Sequence, residues 1–164
     1  MKTLIEVFVE SARSAASVGL VIGASMILTY VVIQENVPQM ISALFAGAEI
    51  SPLAFMLLVN LLVLLLGCVL DATVIILVIV PLFIPTCTQL GIDLVHFGVV
   101  IVVNAMIGLI TPPYGILLFV ISAVTQIPLK EIIGEIWIFL AVLLFALLAM
   151  IMFPEIVLFL PRAL

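Results

Sequence analysis

Gly108-Leu109-Ile110-Thr111-Pro112-Pro113-Tyr114-Gly115 interrupts the longest uncharged run of the chain, Leu94 to Leu129. At the usual helical rise that run would be about 54 Å long, whereas a bilayer's hydrocarbon core is about 30 Å thick. Two adjacent prolines remove two backbone donors and clash with the preceding turn. Pro112 also pushes Thr111 out of helical geometry. The helix has to break here. A break at membrane depth is tolerated only where it is buried in protein or lines a cavity, and broken helices mark ion and substrate sites in secondary transporters.

Composition places the rest of the chain around that break. The 164 residues are 68% hydrophobic and 8% charged, with a mean hydropathy of +1.65. Soluble domains carry roughly 25% charged residues. The other long uncharged runs are 14–34, 50–70, 72–92 and 136–154, each about long enough to span. The expected fold is an all-α integral membrane domain over 1–164. It comprises a transmembrane helix over 14–34, an interfacial stretch over 35–50, a re-entrant helical hairpin over 52–90, a discontinuous transmembrane helix over 94–126 and a last transmembrane helix over 134–156. Met1–Glu10 reads as a short interfacial helix leading into the first span, not as a cleaved signal peptide. Gly19 and Gly23 form a small-xxx-small pair suited to close helix contact.

The hairpin follows from Asp71, which alone separates two apolar runs. One residue does not supply a loop that reaches water, so a turn inside the membrane at Gly67–Thr73 explains the spacing better than two full spans. In the hairpin arrangement Lys2, Arg13 and Lys130 share one side, and Arg162 joins Glu35, Glu49 and Asp93 on the other. The positive-inside rule then puts the N-terminus in the cytoplasm. Charge alone does not decide between hairpin and two spans.

An intramembrane carboxylate is a functional-site hypothesis by default. Asp71 could attract a cation, or it could cap the second arm with Thr73 beside it. Unwound segments expose carbonyls without intrahelical partners, and hard cations take oxygen ligands. A small monovalent cation such as Na⁺ suits an uncharged cage of carbonyls plus the Thr111 hydroxyl. Pro112 lies four residues after Gly108 and Pro113 four after Leu109, so counting leaves both carbonyls without an α-helical donor. Asn104 lies two turns before Thr111 on the same face; Asn60 reads as interhelical glue. His96 reads as an interfacial or cap-satisfying residue, and Cys68 and Cys87 as buried small hydrophobes. No Gly-x-Ser-x-Gly, His pair or metal-spaced Cys/His cluster occurs. The chain does not read as an enzyme, and four cationic residues argue against nucleic-acid binding.

Leu66-Gly67-Cys68-Val69-Leu70-Asp71-Ala72-Thr73, Pro81, Pro85, Gly91-Ile92-Asp93-Leu94-Val95-His96-Phe97-Gly98-Val99, Asn104 and the Gly108–Gly115 stretch together resemble the large membrane subunit of TRAP transporters, the DctM-like subunit. Leu94 stands where the family usually has Pro, and Ala72 where it often has Gly. The likeness covers one of the family's two inverted repeats, the C-terminal one. It implies an elevator-type, Na⁺-coupled importer of organic anions in the bacterial inner membrane. The implied partners are a small membrane subunit, a periplasmic substrate-binding protein, the N-terminal half of the large subunit if that subunit is split, and the lipid bilayer. The resemblance also implies one sodium site at Gly67, Gly108, Thr111 and Tyr114, with Asp71, Thr73 and Asn104 as candidate site-lining residues. The alternatives are half of another elevator-type anion:sodium symporter, or a non-transporting membrane assembly or scaffold remnant.

Overall fold

The computed structural model describes residues 4–47, 50–112 and 114–163; Lys2, Glu49 and Pro113, on which parts of the topology and break readings fall, lie outside them. The described residues form helices and no strands. They are α1 (Leu4–Gln34), α2 (Val37–Gly47), α3 (Pro52–Gly67), α4 (Ala72–Val74), a π-helical turn (Ile75–Ile79), α5 (Val80–Gln89), α6 (Leu94–Ile110), α7 (Ile116–Thr125), α8 (Leu129–Met152) and α9 (Pro154–Ala163).

Local chemistry sets these limits. Ser51 caps α3, its hydroxyl accepting from the Ala54 N–H at 3.3 Å, with Pro52 in the first turn. Asp71 caps α4, accepting from the Thr73 N–H at 2.7 Å. Asp93 caps α6, accepting from the Val95 and His96 N–H groups at 2.8 and 3.3 Å. The separate interfacial helix expected over Met1–Glu10 is replaced by a continuous α1 from Leu4. No proline and no glycine before Gly19 offers a place to break it, and 31 residues reach about 46 Å.

α6 is the centre of the molecule and packs against α3, α5, α7, α8 and α9. Phe55, Val59 and Val63 of α3 meet Phe97, Val100, Ile101 and Ala105 of α6 in one buried cluster with Ile75, Phe83 and Cys87. Phe55 packs edge-on against Phe45 of α2 and Phe83 of α5, with centroids 5.1 and 6.1 Å apart. Asn60 pairs with Asn104, and Gly67 with Gly108, so α3 and α6 run in the same direction. The chain then turns at 68–71 and returns, and Pro52 and Leu90, at the two ends of that excursion, line one cavity.

The exterior is apolar. Among the described residues, α1, Ala72–Gln89 and α8 are long and apolar enough to cross a membrane. Only 6% of the most apolar window of α1 and 11% of that of α8 is buried inside the protein, so most of their Leu, Ile, Val and Phe side chains point outward. Soluble monomers rarely expose such continuous apolar surface. The chain is an all-helical, multi-pass integral membrane protein.

Candidate functional site at the hairpin turn and the helix break

Thr111 ends α6 in an extended conformation, φ −85° and ψ 126°, as a residue before proline must. Gly115 restarts the helix from the left-handed region, φ +45°. That geometry suits glycine, and a Cβ there would come within 2.8 Å of Leu118. The break therefore occupies residues 111–115, between α6 and α7.

The end of α3 is pressed against the end of α6. A Cβ built on Gly108 would lie 2.7 Å from Gly67 Cα, 2.8 Å from its carbonyl carbon and 3.1 Å from its carbonyl oxygen. These are backbone atoms, so only glycine fits without displacement. The structure thus brings two of the candidate residues, Gly67 and Gly108, into direct backbone contact at the mouth of the break. Thr111 is one turn further. Its hydroxyl donates to the Ile107 carbonyl at 2.7 Å, and a hydroxyl oxygen that donates keeps its capacity to accept.

Counting from Pro112 suggested an unpartnered Gly108 carbonyl. Instead the Thr111 N–H donates to it at 3.0 Å. The last turn tightens to the three-residue spacing common at helix ends. The Leu109 carbonyl has Pro113 four residues on and gains no donor from it. Tyr114 is 60% exposed.

One turn before Gly108, Asn104 is fully buried. Its amide nitrogen donates to the Asn60 backbone carbonyl at 2.6 Å and to Asn60 Oδ1 at 2.8 Å. Asn60 in turn donates to the Met56 carbonyl at 2.8 Å. Asn104 Oδ1 is buried without a hydrogen-bond partner. Asn60 joins the helices, as its sequence reading held, and it also orients Asn104 so that an oxygen is left over.

Asp71 and Thr73 lie on another side. They line a cavity of about 290 Å³ with Ser17, Val18 and Val21 of α1. Asp71 is exposed and engaged as a cap. The long-range bonds that sequence reasoning missed include two that end on backbone carbonyls of other helices: the Thr29 hydroxyl donates to the Leu77 carbonyl at 2.9 Å, and His96 Nε2 lies 2.8 Å from the Met150 carbonyl. Each carbonyl sits four residues before a proline, Pro81 or Pro154, and that spacing was the available signal.

An all-helical membrane protein with a helix break packed against a hairpin turn defines a class; the sequence comparisons define the family. The chain belongs to the DctM component of the tripartite ATP-independent periplasmic transporters, whose family model matches residues 1–156. It is 35% identical over 99% of its length to the sialic acid TRAP transporter large permease protein SiaM of Vibrio cholerae, covering 38% of that protein. It is 38% identical over 96% of its length to the C4-dicarboxylate TRAP transporter large permease protein DctM of Pseudomonas aeruginosa, covering 37% of it. With the sialic acid TRAP transporter permease protein SiaT of Haemophilus influenzae it shares 31% identity over its whole length, covering 27% of that protein. The chain thus spans 27% to 38% of these relatives' length. The relatives are named as permeases, not as enzymes.

Proposed function

We propose that this chain acts as the C-terminal repeat of a sodium-coupled, elevator-type TRAP permease that imports organic anions across the bacterial inner membrane. The observation that carries the reading is the backbone contact between Gly67 and Gly108. It sets a hairpin turn against a helix break, with the Thr111 oxygen and the unpaired Asn104 Oδ1 each about one turn away. Glycine on both sides keeps side chains away from the carbonyls there. Carbonyls, a hydroxyl and an amide oxygen form a neutral, hard donor set suited to Na⁺. Gly67, Gly108, Thr111 and the Tyr114 backbone are the proposed ligands. Asn104 lines the site, and Asp71 with Thr73 shapes the hairpin turn.

Residues 52–90 are proposed to be re-entrant. α3 is about 24 Å long, short of the hydrocarbon thickness. The curated relatives are named for sialic acid and C4-dicarboxylates, both carboxylic acids, which supports an anionic substrate class. The proposed partners are the small membrane subunit, the periplasmic substrate-binding protein and the remaining part of the large subunit. The test is uptake by proteoliposomes that hold the complete large permease bearing this segment, its small subunit and its loaded binding protein. Uptake should require an inward Na⁺ gradient. Equal uptake with K⁺ in place of Na⁺ would remove the coupling, and no uptake of any tested carboxylate would remove the substrate class.

A further inference from the structure

His96 is 4% exposed, in the first turn of α6. Its backbone is fixed by the Asp93 cap, which accepts from the His96 N–H. Its Nε2 lies 2.8 Å from the carbonyl oxygen of Met150, 54 residues away near the end of α8. A carbonyl can only accept, so Nε2 carries the proton and donates. The Met150 carbonyl needs that donor for a reason legible in the chain. Its α-helical partner would be the N–H of residue 154, which is proline. α8 stops at Met152. Phe153 leaves helical geometry, φ −121° and ψ 83°, while its own N–H still reaches Ala149 at 2.9 Å. Ala149 is thus the last carbonyl served from within the helix, and Met150 is the first that proline strips.

A similar pairing occurs between α1 and the π-helical turn. Pro81 lies four residues after Leu77 and cannot give its carbonyl an α-helical bond, and the Thr29 hydroxyl of α1 donates to that carbonyl at 2.9 Å, in the π-helical turn. In both places a carbonyl that a proline four residues on cannot serve accepts from a side chain of a different helix. The bond therefore ties two helices together at a point set by the proline.

We propose that His96 is a positioning residue that locks the first turn of α6 to the proline-ended C-terminus of α8, and so holds the register of the helix carrying Asn104, Gly108 and Thr111. The effect on uptake rests on the transport reading above; the lock itself does not. The experiment uses the complete permease with spin labels at Val95 and Met152, both half-exposed, and measures their distance distribution alongside uptake. His96→Gln keeps a nitrogen donor near the Nε2 position. It should keep the narrow distribution and uptake within about twofold of wild type. His96→Leu should broaden the distribution and lower maximal uptake about tenfold, the scale set by one buried unsatisfied carbonyl, with half-saturation unchanged. Adding Pro154→Ala to His96→Leu returns an N–H to position 154 and should recover most of the loss. A His96→Gln variant as impaired as His96→Leu, or no recovery with Pro154→Ala, would overturn the proposal. Should His96→Leu fail to accumulate, membrane abundance becomes the readout, with the same three-way pattern expected and its absence equally fatal. A wild-type permease without uptake would sink the transport reading, while the label distances still decide the lock.

Discussion

Gly108 is the position at which a single methyl group decides most. A Cβ there meets Gly67 backbone at 2.7 Å, whereas a Cβ on Gly67 meets Gly108 Cα at 3.1 Å. Gly108→Ala should therefore cost more than Gly67→Ala, within the range of about 1–3 kcal/mol typical of overpacking. Thermal unfolding of the two variants in detergent checks the order, and a Gly108→Ala protein as stable as wild type would refute the close approach. Thr111 is a test of chemistry. Thr111→Val keeps the shape, and removing the local bond to Ile107 alters stability by about 1 kcal/mol or less. Under the proposed function it should raise the Na⁺ concentration for half-maximal uptake several-fold. Unchanged sodium activation would show that the hydroxyl is not a ligand. At Asp71 the structure favours capping, and Asn caps about as well as Asp. Asp71→Asn should leave sodium activation within about twofold. A large loss would give the carboxylate a role beyond the 2.7 Å bond to the Thr73 N–H.

At the scale of elements, the excursion 52–90 consists of a short α3 and a second arm with a π-helical turn. π-turns within helices recur at functional sites, and here the turn lies next to Pro81, which cannot continue the α-helical ladder. If the excursion is re-entrant, its tip stays at membrane depth. In a chain with Cys68 and Cys87 replaced, Val69→Cys should then react with a small maleimide and resist a bulky polymer-linked one applied from the cytoplasmic side. Rapid labelling by both would mean that the tip reaches bulk water and that two full spans are present. The α3–α6 pair is held differently, by a buried amide pair and a glycine contact. Interhelical polar bonds in membranes average only about 0.6 kcal/mol. The Asn60–Asn104 bond therefore adds little to the pairing, and it leaves Asn104 Oδ1 without a partner.

For the whole molecule, the apolar exterior and the polar interior around the break are two sides of one arrangement. α1 and α8 present hydrocarbon outward, while α6, the most enclosed helix, carries the interruption. Under the proposed function, a cation bound at that interruption would stabilise the folded state by mass action, about 1.4 kcal/mol at ten times its dissociation constant. The complete permease in detergent should therefore unfold at a higher temperature in NaCl than in choline chloride at equal ionic strength. Coincident unfolding curves across a wide sodium range would count against any sodium site.

The sequence by itself determined the membrane class, the helical fold and the break at 111–115. Those follow from hydropathy, segment length and the missing N–H of proline, all properties of consecutive residues. It also offered the cap at Asp71, because capping is local; the equally local cap at Asp93 was not read from it. Only the tertiary structure decided that Gly67 lies on Gly108, that Asn60 orients Asn104, that the Thr111 N–H takes up the Gly108 carbonyl, and that His96 and Thr29 serve the carbonyls of Met150 and Leu77. Counting along the chain reveals which carbonyls lose a partner. Which group replaces it depends on which helices pack together, and packing joins residues that no local spacing relates.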